Sequence, residues 1–287
     1  MSSQMLQFGD FAPEFRDPHT ARVVVLPVAY DGTSTWVKGA DRGPAAILKA
    51  SYNLEFYDIQ TGREVFREGI FTDAPLDGFA SVDAMVAAVH QAVRCWLGKD
   101  KFPVLLGGEH SISIGAFAAA AEAFENLTIL QIDAHADLRD SYHGSRYNHA
   151  CVMARARELC PIVQVGIRSM DKAELSNMDR DRVFFAHQIS ELPRRQWIDQ
   201  VVSRLSENVY LTIDLDGFDP SVMPATGTPE PGGLGWYDVV ELIRAVCTEK
   251  KLVGFDVVEL CPHEAHWGAD FLAAKLVYTT LTAAIGR

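Results

Sequence analysis

The run LTILQID at 127–133 is almost wholly apolar, and the segment AHAD follows it at once. A strand with one solvated face alternates apolar and polar residues. A strand without that alternation must be covered on both faces, as in a parallel sheet packed between helices. PIVQVGI at 161–167 reads the same way. Further strand-like runs are VVVLPV (23–28), FPVLLG (102–107), RVFFAH (182–187), VYLTIDL (209–215) and LVGFDVVEL (252–260). Helical patterns are expected between them over 44–53, 82–97 with Ser81 as N-cap, 114–124, 149–159, 196–205, 237–247 and 271–285. The repeated β-then-α order predicts a three-layer α/β/α architecture. No internal repeat, low-complexity tract or Ser/Gly linker interrupts the chain, so the expectation is one domain over 1–287.

Composition narrows the partners. With 48% hydrophobic and 22% charged residues, the chain can bury a large core. Its formal charge of −12 argues against nucleic acid and favours a cationic substrate. Five cysteines without a C-x-x-C pair exclude a disulfide framework and a cysteine-only zinc site. The start, MSSQMLQFGD, lacks the basic-then-apolar order of a signal peptide. No uncharged apolar run reaches about 18 residues; FLAAKLVYTTLTAAI is the nearest and carries Lys275. The expected location is cytoplasmic, with no membrane partner.

The ends of the apolar runs carry the chemistry. Asp133, His135 and Asp137 follow the first run at every second position. Fully extended, the outer two would lie about 13 Å apart, so sharing one ion requires the chain to curl after Asp133. Ala134 and Ala136 leave room for that. Asp214 and Asp216 end VYLTIDLD, before Gly217. FPVLLG runs into Gly107-Gly108, and His110 follows just before a helix. Each piece alone has a plainer reading: His110 as a packed or capping residue, Asp214 as an N-cap or turn acid. Together they place four Asp and two His at three strand ends, with no Lys or Arg nearby except Arg139. Buried acids need compensation, and two divalent ions cancel four carboxylates. Oxygen-rich ligands with some imidazole suit Mn²⁺, although nickel and cobalt fit the same ligand types. Two such ions can activate a water for hydrolysis.

The segments GGEHS (107–111), DAHADLRD (133–140), DLDGFDPSVMPATGTPEPGG (214–233) and GFDVVEL (254–260) resemble the ureohydrolase family, which includes arginase and agmatinase. The resemblance runs from about residue 23 to the end. It implies a mainly parallel sheet of about eight strands and a dinuclear manganese centre. His110, Asp133, Asp137 and Asp214 would hold one ion, and Asp133, His135, Asp214 and Asp216 the other. By the same resemblance Glu259 would receive a guanidinium and Thr228 would support that glutamate or the substrate. Asp137 would relay a proton to the leaving amine, and His149 would exchange protons with solvent. The implied reaction is hydrolysis of a small cationic guanidino compound, and the implied assembly is a trimer or hexamer. GIRS (166–169) and the loop DLRDSYHGSRYNHA most resemble agmatinases, which convert agmatine to putrescine and urea. Arg139 and Asp171 keep arginine, guanidinobutyrate and guanidinopropionate open, and no role is assigned to Tyr142, His143, Arg146 or Tyr147. Two other classes remain: a zinc-dependent deacetylase, which shares the general fold and a D-x-H feature, and a non-catalytic metal-binding regulator.

Overall fold

A computed structural model describes residues 5–285. Its eight strands are β1 (Val23–Val28), β2 (Ile70–Thr72), β3 (Phe102–Gly107), β4 (Leu127–Ile132), β5 (Ile162–Ile167), β6 (Val183–Phe185), β7 (Asn208–Asp214) and β8 (Lys251–Val258). They form one sheet in the order β2-β1-β3-β8-β7-β4-β5-β6, with every pairing parallel. The helices are α1 (Gly43–Ser51), α2 (Val82–Leu97), α3 (Ser113–Ala123), α4 (Val152–Ala156), α5 (Ala186–Ser190), α6 (Arg194–Ser203), α7 (Trp236–Glu249) and α8 (Trp267–Ile285).

The near-continuous apolar runs have the expected cause. All six residues of β1, β3, β4 and β5 are buried. Alternate residues enter two separate cores. Val23, Val25, Leu130, Ile132, Leu211 and Ile213 pack with α1, α6, α7 and α8. Val24, Leu26, Leu127, Ile129 and Tyr210 pack on the other face with α2, α3 and α4. Helix α2 illustrates how the sequence makes these layers. The Ser81 hydroxyl accepts the Ala84 N–H at 3.1 Å, and Met85, Val86, Val89 and Val93 form its buried stripe. No helix among the described residues is long and apolar enough to cross a membrane.

Several boundaries differ from expectation, each for a local reason. Strand β2 is a three-residue edge strand entered through Gly69, too short to carry a pattern. The helix expected over 149–159 is a 3₁₀ turn, His149–Cys151, capped by the Asn148 side chain, followed by the short α4. The run 182–187 breaks after β6, because the chain turns into α5. The last strand stops at Val258, because Glu259 adopts a left-handed backbone, φ 66°. After β3 the chain crosses over β8 and β7 before adding β4. The carboxyl ends of β3, β8, β7 and β4 therefore lie side by side, at a crossover of the kind where open α/β sheets bind ligands.

Candidate metal centre

Close backbone approach brings the strand ends together. A Cβ on Gly108 would lie 1.9 Å from the Tyr30 carbonyl oxygen, and one on Gly217 would lie 2.9 Å from the Asp133 nitrogen. Glycine is thus required where the loop after β3 meets that after β1, and where the β7 end meets the β4 end. The curl after Asp133 is present. Asp133 Oδ1 accepts the His135 N–H at 2.6 Å, and Asp216 Oδ1 accepts the Ala134 N–H at 3.1 Å. Asp137 has a left-handed φ of 52°, which turns its carboxylate back toward Asp133.

The result is a tight cluster. His110 Nδ1 lies 3.2 Å from Asp133 Oδ2, 3.1 Å from Asp137 Oδ2 and 3.4 Å from Asp214 Oδ2. His135 Nδ1 lies 2.9 Å from Asp216 Oδ2 and 3.6 Å from Asp133 Oδ1. Two groups could each hold an ion, His110–Asp133–Asp137 and Asp133–His135–Asp216, and Asp133 belongs to both. Asp214 combines both readings of its sequence position. Its Oδ1 caps the turn after β7 by accepting the Asp216 N–H, while Oδ2 faces His110.

The donor set fits a divalent cation. Thr212 gives its hydroxyl proton to Asp256 Oδ1 at 2.6 Å and so accepts from His110 Nε2 at 2.9 Å. That aims His110 Nδ1 at three acid oxygens, an arrangement satisfied by a proton on Nδ1 in the metal-free fold or by a cation taking its place. A buried amide pair steadies the other side: Gln164 Nε2 donates to Gln131 Oε1, and Gln131 Nε2 donates to Asp133 Oδ2, each at 2.6 Å.

The titration pattern has the same origin. Burial raises Asp137 to about 7, with Asp133 adding repulsion, and raises Asp214 well above the carboxylate range, with Asp216 and Asp133 adding. Burial also opposes ionisation of His110, His135 and Asp133. The carboxylates overcome it, Asp133 with Asp137 and Asp214 raising His110 and Asp216 with Asp133 raising His135, while the two imidazoles lower Asp133.

A cavity of about 300 Å³ opens over the cluster, lined among others by His110, His149, Glu259, Thr228, Arg139 and Asp171. Glu259 Oε1 accepts the His110 N–H at 2.7 Å, and the Glu259 N–H donates to the Gly108 carbonyl at 2.8 Å. Burial pushes its carboxyl well up, with Glu109 repulsion adding. His149 is half-buried in the wall, and its pKa is pushed down to about 4 by burial and then by His110 and His135. The Thr228 hydroxyl bonds Asp216 Oδ2 at 3.4 Å, so its contact is with a cluster acid. The Arg139 guanidinium lies 3.4 Å from Asp171 Oδ2 and stacks 4.8 Å over the Tyr142 ring. Arg146 instead turns to Glu158 and Asp140 on the surface.

Sequence reasoning missed several contributors. Glu109 and Asp256 are fully buried acids beside the cluster. An aspartate inside the apolar run of β8 was a readable signal for the second. Arg168, within GIRS, donates to the carbonyls of Gly166, Asp216, Gly217, Phe218, Glu230 and Pro231, and thereby fastens the loop after β7.

Fold and cluster define an all-parallel α/β scaffold with an acid-and-histidine cluster at its carboxyl edge that could hold two cations. The chain belongs to the arginase family of ureohydrolases: residues 21–282 match the model of the Arginase family. It is 40% identical over 269 residues to the N(1)-aminopropylagmatine ureohydrolase of Synechocystis, covering 90% of this chain and 87% of that one. It is 35% identical over 266 residues to the agmatinase of Pyrococcus horikoshii, covering 91% and 92%. The crystal structure of the agmatine ureohydrolase of Thermoplasma volcanium superposes with a TM-score of 0.88 at 32% identity, covering 99% of this chain and 95% of that one.

Proposed function

We propose that this chain is a single-domain hydrolase that releases urea from a small cationic guanidino compound, with agmatine, cleaved to putrescine and urea, as the first candidate. The observation that carries the reading is the convergence of His110, Asp133, Asp137, Asp214, His135 and Asp216 beside an open cavity that also holds Glu259. His110, Asp133, Asp137 and Asp214 would hold one ion, and Asp133, His135, Asp214 and Asp216 a second, with manganese favoured by the oxygen-rich ligands. When bound, the ions lower the pKa of water and so supply a hydroxide equivalent near neutral pH.

The chain's own groups do the rest. Glu259 has one oxygen committed to the His110 N–H, leaving Oε2 and the second lone pair of Oε1 for the guanidinium N–H groups. One C–N bond breaks and one C–O bond forms, and both protons of the water end on the departing amine. Asp137, beside His110 and facing the cavity, carries a proton to that amine. His149, held neutral by its surroundings, exchanges protons with solvent. Arg139 already neutralises Asp171 at the cavity wall, so the tail of the substrate meets a balanced pair rather than a bare acid.

A second substrate has specific support. The Synechocystis relative and one from Thermus thermophilus, 41% identical over 267 residues, are both named N(1)-aminopropylagmatine ureohydrolases. The deciding experiment is Mn²⁺-dependent urea release from agmatine, N(1)-aminopropylagmatine, arginine, guanidinobutyrate and guanidinopropionate. Turnover should be greatest on one of the first two. No urea from any guanidine by the metal-loaded protein would favour a regulator, and acetate release from an acetylated amine would favour a deacetylase. A cytoplasmic trimer or hexamer is part of the same proposal, and light scattering after size exclusion measures the assembly.

A further inference from the structure

Thr33 lies in the loop DGTSTWVKG, which the Asp31 carboxylate closes by accepting the N–H groups of Gly39 and Ala40. Its hydroxyl sits between two side chains from distant parts of the chain. Thr33 Oγ1 is 2.9 Å from Glu109 Oε1 and 3.1 Å from His149 Nδ1, and it also accepts the His149 backbone N–H at 3.0 Å. A hydroxyl offers one proton and two acceptor positions. The backbone N–H fills one acceptor position, so the proton goes either to Glu109 or to His149.

Glu109 decides the direction. It is fully buried and takes the Ser111 N–H on Oε2 at 2.8 Å and the Ser111 hydroxyl on Oε1 at 2.7 Å. The Ser111 and Thr33 hydrogen bonds favour Glu109 as a carboxylate against the effect of burial, and as a carboxylate its Oε1 has lone pairs for both hydroxyls, so it accepts from Thr33 as well as from Ser111. Thr33 then has only an acceptor position left for the imidazole, and the ring proton must sit on Nδ1.

We propose that Thr33 and Glu109 are positioning residues that hold His149 as its Nδ1–H tautomer and leave Nε2 as a proton acceptor in the cavity wall. The inference rests on the reading above in which His149 exchanges protons. A proton arriving at Nε2 makes an imidazolium whose Nδ1–H is already bonded, and the Glu109 charge stabilises it through one hydroxyl. Neither Thr33 nor Glu109 changes protonation.

The test is nitrogen NMR of ¹⁵N-histidine-labelled protein loaded with Zn²⁺, a diamagnetic stand-in, with His149 assigned from His149→Gln. The wild type should show a protonated Nδ1 and a bare Nε2. Thr33→Val should lose that preference, and Thr33→Ser should restore it. With Mn²⁺ and the best guanidine substrate, Thr33→Val should lower kcat by about tenfold to a hundredfold, a part of what acid–base groups contribute, with KM nearly unchanged. Thr33→Ser should recover most of the loss. A wild-type ring protonated on Nε2, or a Thr33→Val protein with unaltered His149 signals or unaltered kcat, overturns the proposal. If Thr33→Val fails to fold, the wild-type and Thr33→Ser spectra still decide it. The spectra do not depend on turnover, so the expected signature in a protein that releases no urea would sink the hydrolase reading and leave this one standing.

Discussion

His110 and His149 line one cavity, yet their surroundings push the two imidazoles in opposite directions. Burial disfavours the charged form of both. For His110, three carboxylate oxygens at Nδ1 reverse the effect and raise its pKa well above the ordinary imidazole value. For His149 in the metal-free fold, burial leads and His110 and His135 add to it, taking it down to about 4. Each ring is tied to an acid through a threonine, Asp256–Thr212 for His110 and Glu109–Thr33 for His149. The ties hold opposite nitrogens. His110 is held at Nε2 and points Nδ1 at the cluster acids, whereas His149 is held at Nδ1. The nitrogen left free, and what faces it, is what would separate the proposed metal ligand from the proposed base.

The largest expected effect comes from removing the acid shared by both ion groups. Asp133→Ala should lose bound metal and reduce urea release to background, measured by elemental analysis and a urea assay; full metal occupancy would dissolve the contrast between the two histidines. Next is Glu259→Gln, which should keep both metal and the His149 state while kcat/KM falls about 30-fold to several thousandfold, as for a buried charge pair worth about 2–5 kcal/mol. Thr212→Val breaks the tie behind His110 alone. It should weaken metal affinity by about 10–100-fold, read by titration against a competing chelator, and leave the His149 spectrum unchanged.

The smallest effect is in the pH dependence. Raised acids such as Asp137 and Asp214 hold protons in the metal-free fold that the unfolded chain has already released. Their contribution to stability is present below about pH 4 and is lost as pH rises through the folded values, about 7 for Asp137. Bound ions displace those protons, so the rise in Tm caused by Mn²⁺ should be larger at about pH 8 than at about pH 5.5. Equal shifts at the two values would mean that these acids do not compete with protons for the ion.

Much of this was legible because it rests on burial. Runs such as LTILQID show covered strands directly, and the acids that end them identify the carboxyl edge. Other features depend on contacts that sequence spacing does not encode. The left-handed backbone at Glu259 is not signalled by its residue type, whereas at Asp137 it falls on one of the few side chains that tolerate it. Thr33 reads as a loop threonine until the fold sets it between Glu109 and His149. Arg168, part of GIRS, has no contact readable from spacing until the loop after β7 offers it five carbonyls and β5 a sixth. Thr228 could be assigned to the site from its motif but not to Asp216 in particular.

The central claim is that three strand ends build one centre for two cations with Asp133 shared between them. Anomalous diffraction at the manganese edge from crystals grown with Mn²⁺ tests it directly. The account predicts two peaks, one bonded to His110 Nδ1, the other to His135 Nδ1, and both to Asp133. A single peak, or peaks not bound by Asp133, would contradict it.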